Sequence, residues 1–154
     1  MPTRSTTDQT EAADPVLLFL RALWQLEHAL ERASKRMENS MGISGPQLFA
    51  LRIIGMRPAI TAGELAAALH LHPSTVTGIV QRLEARKLVK RVSSSNDRRV
   101  VRLHLTPAGS KIDRPAPKGS IERAARTTLA RVAGPQLKAT TAVMGQFADE
   151  LMTI

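Results

Sequence analysis

The groups in this sequence able to do chemistry are cations and small hydroxyls, and they crowd into one stretch. Residues 72–111 hold nine Lys and Arg against two Asp and Glu, a net charge of +7 out of +9 for the 154-residue chain. Within it, Ser74, Thr75, Thr77, Gly78, Gln81, Arg82 and Arg86 recur on one side of a helical pattern, and Asp97-Arg98-Arg99 follows a polar run. Clustered cations attract polyanions, and release of condensed counterions makes that attraction large for nucleic acid. Hydroxyls, side-chain amides and guanidinium groups are also the donors that reach phosphates and base edges.

Catalysis finds no comparable support. The sequence has no glycine-rich phosphate loop, no HExxH and no convincing pair of carboxylates. It has no cysteine, which removes thiol nucleophiles, disulfides, thiolate zinc sites and thiol-based oxidant sensing within this chain. His70-Leu71-His72 is the only metal-like spacing, and it sits where imidazoles serve equally well against phosphate. His28 and His104 read as surface or packing histidines. No enzymatic activity, cofactor or metal is expected.

These side chains need elements to hold them. Asp14-Pro15 opens a first helix, a capping side chain followed by proline where no amide donor is required. Val16, Phe19, Leu20, Leu23, Leu26, Leu30, Ala33 and Met37 recur at helical spacing, and Leu17, Leu18 and Trp24 add a second apolar side, so the helix calls for more than one packing partner. Its charged later half, from Glu31 to Glu38, is expected to be wetter. Ser44 with Gln47, and Thr61 with Glu64, form two capping-box patterns. They open a helix with Leu48, Leu51 and Ile54 facing inward and a short Ala-rich helix. Pro73 starts the next, burying Val76, Ile79, Val80 and Leu83 and turning the polar set outward. Short side chains near its start allow close approach to DNA, and free amides there favour phosphate.

Leu88–Val92 and Val100–Leu105 read as strands around a polar turn, the second with Val101, Leu103 and Leu105 on one face. Thr106-Pro107 opens another helix, which Pro115 and Pro117 interrupt. Helical character resumes near Ser120, and Gly134-Pro135 separates a last helix carrying Leu137, Val143, Phe147 and Leu151. The expected fold is mainly α with a small β-wing, a winged helix-turn-helix joined to a helical dimerisation region. Residues 1–13 are expected as a flexible tail, 14–43 as a dimerisation helix, 44–106 as the DNA-binding domain and 107–154 as further dimerisation helices. With 43% hydrophobic but only 3% aromatic residues, the core must be aliphatic. No apolar run approaches the roughly 18 residues of a membrane span, and the polar start lacks a secretion signal, so no membrane partner and a cytoplasmic home are expected.

From about Leu17 to Gly109 the sequence resembles the MarR family of bacterial transcription regulators. The segments that carry the likeness are Gly63-Glu64-Leu65-Ala66, Pro73-Ser74-Thr75-Val76-Thr77 with Arg82-Leu83-Glu84, Asn96-Asp97-Arg98-Arg99, and Leu105-Thr106-Pro107-Ala108-Gly109. The resemblance implies a homodimer that binds double-stranded DNA, with a recognition helix from Pro73 to about Arg86. It also implies that Arg99 enters the minor groove and Asp97 orients it. It further implies release by a small aromatic or anionic effector, for which Trp24, His28 and Arg52 are the candidate contacts. Two positions depart from the family pattern: Gly78 stands where many relatives carry Arg, and Lys87 stands where Gly commonly ends the helix. An architectural DNA binder or a protein–protein adaptor without effector is the alternative reading.

Overall fold

Asp14 caps the first helix by accepting the Val16 amide on Oδ1 at 2.8 Å. In the computed structural model, which describes residues 14–93, 100–113 and 116–153, this helix, α1, runs Pro15–Met41. The expected wetter second half is reversed: Met37, near the C-terminal end, is the one buried residue of the helix. The reason is where the helix is anchored. The hydroxyl of Ser34 accepts the Gly45 amide at 2.8 Å, and Ile43 just beyond the helix is buried. The apolar N-terminal half, with Val16, Leu17, Leu18, Trp24, Leu26 and Leu30, stays exposed.

Helix α2, Gly45–Met56, starts from the capping box: Ser44 Oγ accepts the Gln47 amide and Gln47 Oε1 accepts the Ser44 amide. Leu48, Ala50, Leu51 and Ile54 are buried along it. A two-residue strand β1, Ile60–Thr61, follows, then α3, Ala62–Leu69. Thr61 and Glu64 close the second capping box, with the Thr61 amide donating to Glu64 Oε2 at 2.7 Å. α3 ends on His70 in the left-handed region, φ 52°.

Helix α4, Pro73–Ala85, buries Val76, Ile79, Val80 and Leu83, the four residues expected from its periodicity. Strands β2, Val89–Ser93, and β3, Val101–Leu105, pair antiparallel, with Val89 opposite Leu105 and Ser93 opposite Val101. β1 adds to the far side of β3, Ile60 opposite Leu103, giving the order β1-β3-β2. That third strand was not expected from the sequence. Two residues are too few for an alternation to register, and the strand exists because β3 offers an unpaired edge. Leu51, Leu65, Val76, Val80, Leu83 and Leu103 close an aliphatic core, each under 2% exposed. Burying each such side chain contributes about 1.5–3 kcal/mol.

Helix α5, Pro107–Asp113, begins where Thr106 Oγ1 accepts the Gly109 amide at 3.1 Å. Gly109 is required there, because a Cβ would overlap the Leu88 carbonyl oxygen. The described residues divide into two compact units at 115/116. In the second, α6, Ile121–Leu129, is capped by Ser120, whose Oγ accepts the Arg123 amide at 3.2 Å, and α7 spans Gly134–Leu151. The break expected between Asp113 and Ser120 is present; Pro115 itself lies outside the described residues. Leu129, Val143, Met144 and Leu151 of this unit are exposed. No helix among the described residues is long and apolar enough to cross a membrane.

Candidate nucleic-acid interface

Because Val76, Ile79, Val80 and Leu83 lock one side of α4 into the core, the opposite side is held rigidly outward. Ser74, Thr75, Thr77, Gln81 and Arg82 are exposed on it, and Gly78 is half-buried with open space where a Cβ would stand. Local bonds arrange the first turn. His72 caps the helix through Nδ1, which accepts the Ser74 amide at 3.3 Å and lies 2.7 Å from Ser74 Oγ. The acceptor role on Nδ1 leaves Nε2 as the protonated nitrogen of the neutral ring. His72 is thus a cap of α4. Thr77 Oγ1 donates back to the Pro73 carbonyl at 2.9 Å, so its lone pairs rather than its proton face outward.

Arg86 departs from the other members of the set. Its guanidinium lies on the end of α1, with Nη2 donating to the Met41 carbonyl at 3.1 Å and Nη1 to the Gly42 carbonyl. Arg86 itself is exposed, at the C-cap just beyond α4.

Beside α4, β2 presents exposed Lys90 and Arg91. Arg91 Nε meets Glu84 Oε2 at 2.9 Å, tying the strand to the helix. Arg102 on β3 donates from Nη1 to the Ala59 carbonyl at 2.9 Å, fixing the left-handed Ala59 that precedes β1. Lys90 and Arg91 were counted in the basic stretch but not singled out; their place on a strand beside α4 is what sets them next to its exposed face. Asp97, Arg98 and Arg99 lie outside the described residues.

The candidate effector contacts fall in different settings. Trp24 is 60% exposed on α1. His28, one turn on, is also exposed and places Nδ1 3.0 Å from Glu27 Oε2. With Glu31 these two residues set three donor atoms within 4.8 Å of one another, all solvent-exposed. Arg52 instead points into the first unit, with Nη1 2.9 Å from Asp113 Oδ1 and both side chains largely buried. Gly55 makes room for this pair, since a Cβ there would lie 2.7 Å from Asp113 Oδ2.

Residues 43–101 match the model of the MarR family. The chain carries a MarR family domain. The domain spans α2 through the start of β3, so it includes the capped helices, α4 and β2 just described. Among curated relatives, an uncharacterised HTH-type transcriptional regulator of Bacillus subtilis, YsmB, is 33% identical over 92 residues, 60% of this chain and 63% of its own length. The B. subtilis HTH-type transcriptional repressor MdtR is 33% identical over 96 residues, 61% of this chain and 59% of its own. The chain therefore spans about three fifths of the length of these relatives. Among solved structures, the S. aureus MepR–DNA complex superposes with a TM-score of 0.68 at 21% identity, covering 86% of this chain and 96% of that one. The PcaV regulator of Streptomyces coelicolor, bound to its natural ligand, gives 0.66 at 24% identity and covers 97% and 98%. At these identities the superpositions establish the winged-helix fold. The matched residues leave out all of α1 and everything after Val101, and with them the exposed apolar residues of the N-terminal half of α1 and of α7.

Proposed function

We propose that this protein is a DNA-binding transcription regulator, a repressor that grips a pseudo-palindromic operator as a homodimer and is released by a small aromatic or anionic effector. The observation that carries the reading is the outward face of α4. Hydroxyls, one amide and one guanidinium are fixed on a rigid helix beside the basic strand β2, within a stretch of net charge +7. Such a face suits a major groove, with short side chains permitting approach and Gln81 and Arg82 offering base-edge donors. The MepR and FabT structures are complexes with DNA, MdtR is a repressor, and PcaV binds a ligand, all in keeping with this reading. The exposed apolar residues of α1 and α7 favour a second copy as their cover.

Two-fold symmetry places half-sites about one helical turn apart, and binding should weaken steeply with salt. Fluorescence anisotropy with the chain's own promoter region and with random duplex at physiological salt tests this. Equal affinity for both removes the regulator reading. On the wing, Arg99→Ala should cost on the order of 1–3 kcal/mol of operator binding, more than Arg57→Ala outside the basic cluster. Asp97→Ala should also weaken binding if Asp97 orients Arg99, whereas charge alone predicts tighter binding. For the effector, Trp24 is the only tryptophan and tyrosine is absent, so its emission reports titration with salicylate-like acids cleanly. If Trp24→Phe leaves ligand affinity and ligand-induced release unchanged, the pocket lies elsewhere. An anionic ligand at Arg52 would meet a guanidinium that already pairs with Asp113.

A further inference from the structure

We propose that Arg86 is a positioning residue: it clamps the recognition helix to the end of α1 and so sets where two copies of α4 fall on DNA, rather than gripping a phosphate. The inference rests on the DNA-binding reading and deepens it. Arg86 is the C-cap residue of α4, yet its side chain serves another helix, donating to the carbonyls of Met41 and Gly42. Those carbonyls need a donor. The last carbonyls of a helix lack intrahelical partners and carry the negative end of its dipole, and α1 has no basic residue of its own in its last turn. A guanidinium supplies two donors in a fixed plane, which an ammonium does not.

Gly42 completes the site. It is left-handed, φ 67°, and its amide donates back to the Glu38 carbonyl at 2.8 Å. A Cβ at Gly42 would overlap the Arg86 guanidinium, so the position is reserved for glycine by backbone and by space alike. The corner is rigid on its other side too, through the Ser34–Gly45 bond and the buried Met37 and Ile43. The same helix carries at its other end the uncovered apolar residues that a second copy would bury. The recognition helix is thus fastened to the element that sets the dimer, and a phosphate would meet only the remaining donors of a guanidinium whose position two carbonyls already fix.

The test compares Arg86→Ala, Arg86→Gln and Gly42→Ala with wild type on a duplex that wild type selects from a random library, and on that duplex with one base pair inserted or removed at its centre. Gly42→Ala displaces the guanidinium but keeps its charge. The clamp predicts affinity losses of roughly tenfold for all three, with an unchanged slope of log K against log salt for Gly42→Ala, which keeps the charge, and a flattened penalty for the altered spacings. A phosphate contact predicts no loss for Gly42→Ala, a slope reduced by about 0.9 per lost contact, near two per dimer, and an undiminished spacing penalty; that result overturns the clamp. Amide exchange in the free protein supplies a readout independent of DNA. Arg86→Ala should speed exchange of residues 41–44 several-fold while wild-type exchange of the α3 core is retained, and unchanged exchange at 41–44 also overturns the clamp. If wild type selects no sequence, the regulator reading fails, and amide exchange still decides the clamp.

Discussion

Lys87 follows α4 with φ 57°, in the left-handed region, and its replacement by glycine should stabilise the protein. The residue ends the helix in the manner usual for glycine. Its amide donates to the Glu84 carbonyl at 2.8 Å, and the Leu88 amide reaches back to the Leu83 carbonyl at 2.9 Å. An L-residue with a Cβ costs roughly 1–2 kcal/mol in this conformation. Glycine removes that cost but loses more backbone entropy on folding, about 0.5–1 kcal/mol. The Lys87 side chain is exposed, and its carbonyl keeps the Thr106 hydroxyl bond at 2.6 Å whatever the side chain. The expected gain for Lys87→Gly is about 1 kcal/mol, a rise of roughly 4–8 °C in Tm for a unit of about 100 residues. Urea unfolding at fixed protein concentration measures it as a higher midpoint with an unchanged slope. Lys87→Ala is the control, because it deletes the long side chain and retains the Cβ. No gain for glycine, or an equal gain for alanine, would refute the strain argument.

Three other perturbations separate local from long-range contributions. Gly109→Ala drives a methyl into the Leu88 backbone carbonyl oxygen, which cannot swing aside as a side chain could, and should cost at least about 3 kcal/mol or abolish folding, read by circular dichroism melting. Asp113→Ala leaves the Arg52 charge largely buried without this carboxylate and should cost about 2–4 kcal/mol in urea. The double change Arg52→Met with Asp113→Leu should recover most of that loss; a double mutant as weak as the single would show that packing, not the charge, was at stake. The Thr61 amide, and after it the Thr61 hydroxyl, hold the Glu64 carboxyl below its ordinary value of 4.5. A depressed carboxyl contributes stability above its unfolded pKa and loses it as pH falls through the folded one. The stability advantage of wild type over Glu64→Gln should therefore be full at neutral pH and shrink in acid, and a difference constant with pH would remove the ionic part of this cap.

Local signals were legible because each is written in a few adjacent residues. Asp14-Pro15, Ser44 with Gln47, Thr61 with Glu64, Thr106-Pro107 and Ser120 all stand at helix starts in the structure. The buried face of α4 was legible for the same reason, since four aliphatic residues at helical spacing admit one inward side. Lys87 was legible as a break in the family pattern, and its positive φ makes that break physical. What the sequence did not disclose depends on partners far along the chain. Arg52 finds Asp113 at a separation of 61 residues and Arg86 finds Gly42 at 44, distances over which neither periodicity nor capping carries information. The exposure of the N-terminal half of α1 was hidden likewise, because an apolar stripe declares that it needs a cover without declaring that its own unit supplies none.

The same arginines show why a charge count and a contact list are different predictions. Of the nine cations in residues 72–111, Arg86, Arg91 and Arg102 spend side-chain donors on Met41 and Gly42, Glu84, and Ala59. A bond to a carbonyl uses a donor but cancels no charge, so Arg86 and Arg102 still contribute fully to the long-range field. Among the described residues of this stretch Arg91 sits on a carboxylate, and Glu84 is already inside the net +7. The field that steers a polyanion toward this face is therefore as strong as the sequence implies, while the set of forks able to close on phosphate or base is smaller. In the proposed function, encounter rate and non-specific affinity follow the field. Choice of sequence falls to the short list that α4 holds outward: Ser74, Thr75, Thr77, Gln81 and Arg82, around the open space at Gly78. A variant that neutralises Lys90 should then slow association on every duplex alike, whereas one at Gln81 should change which duplex is preferred.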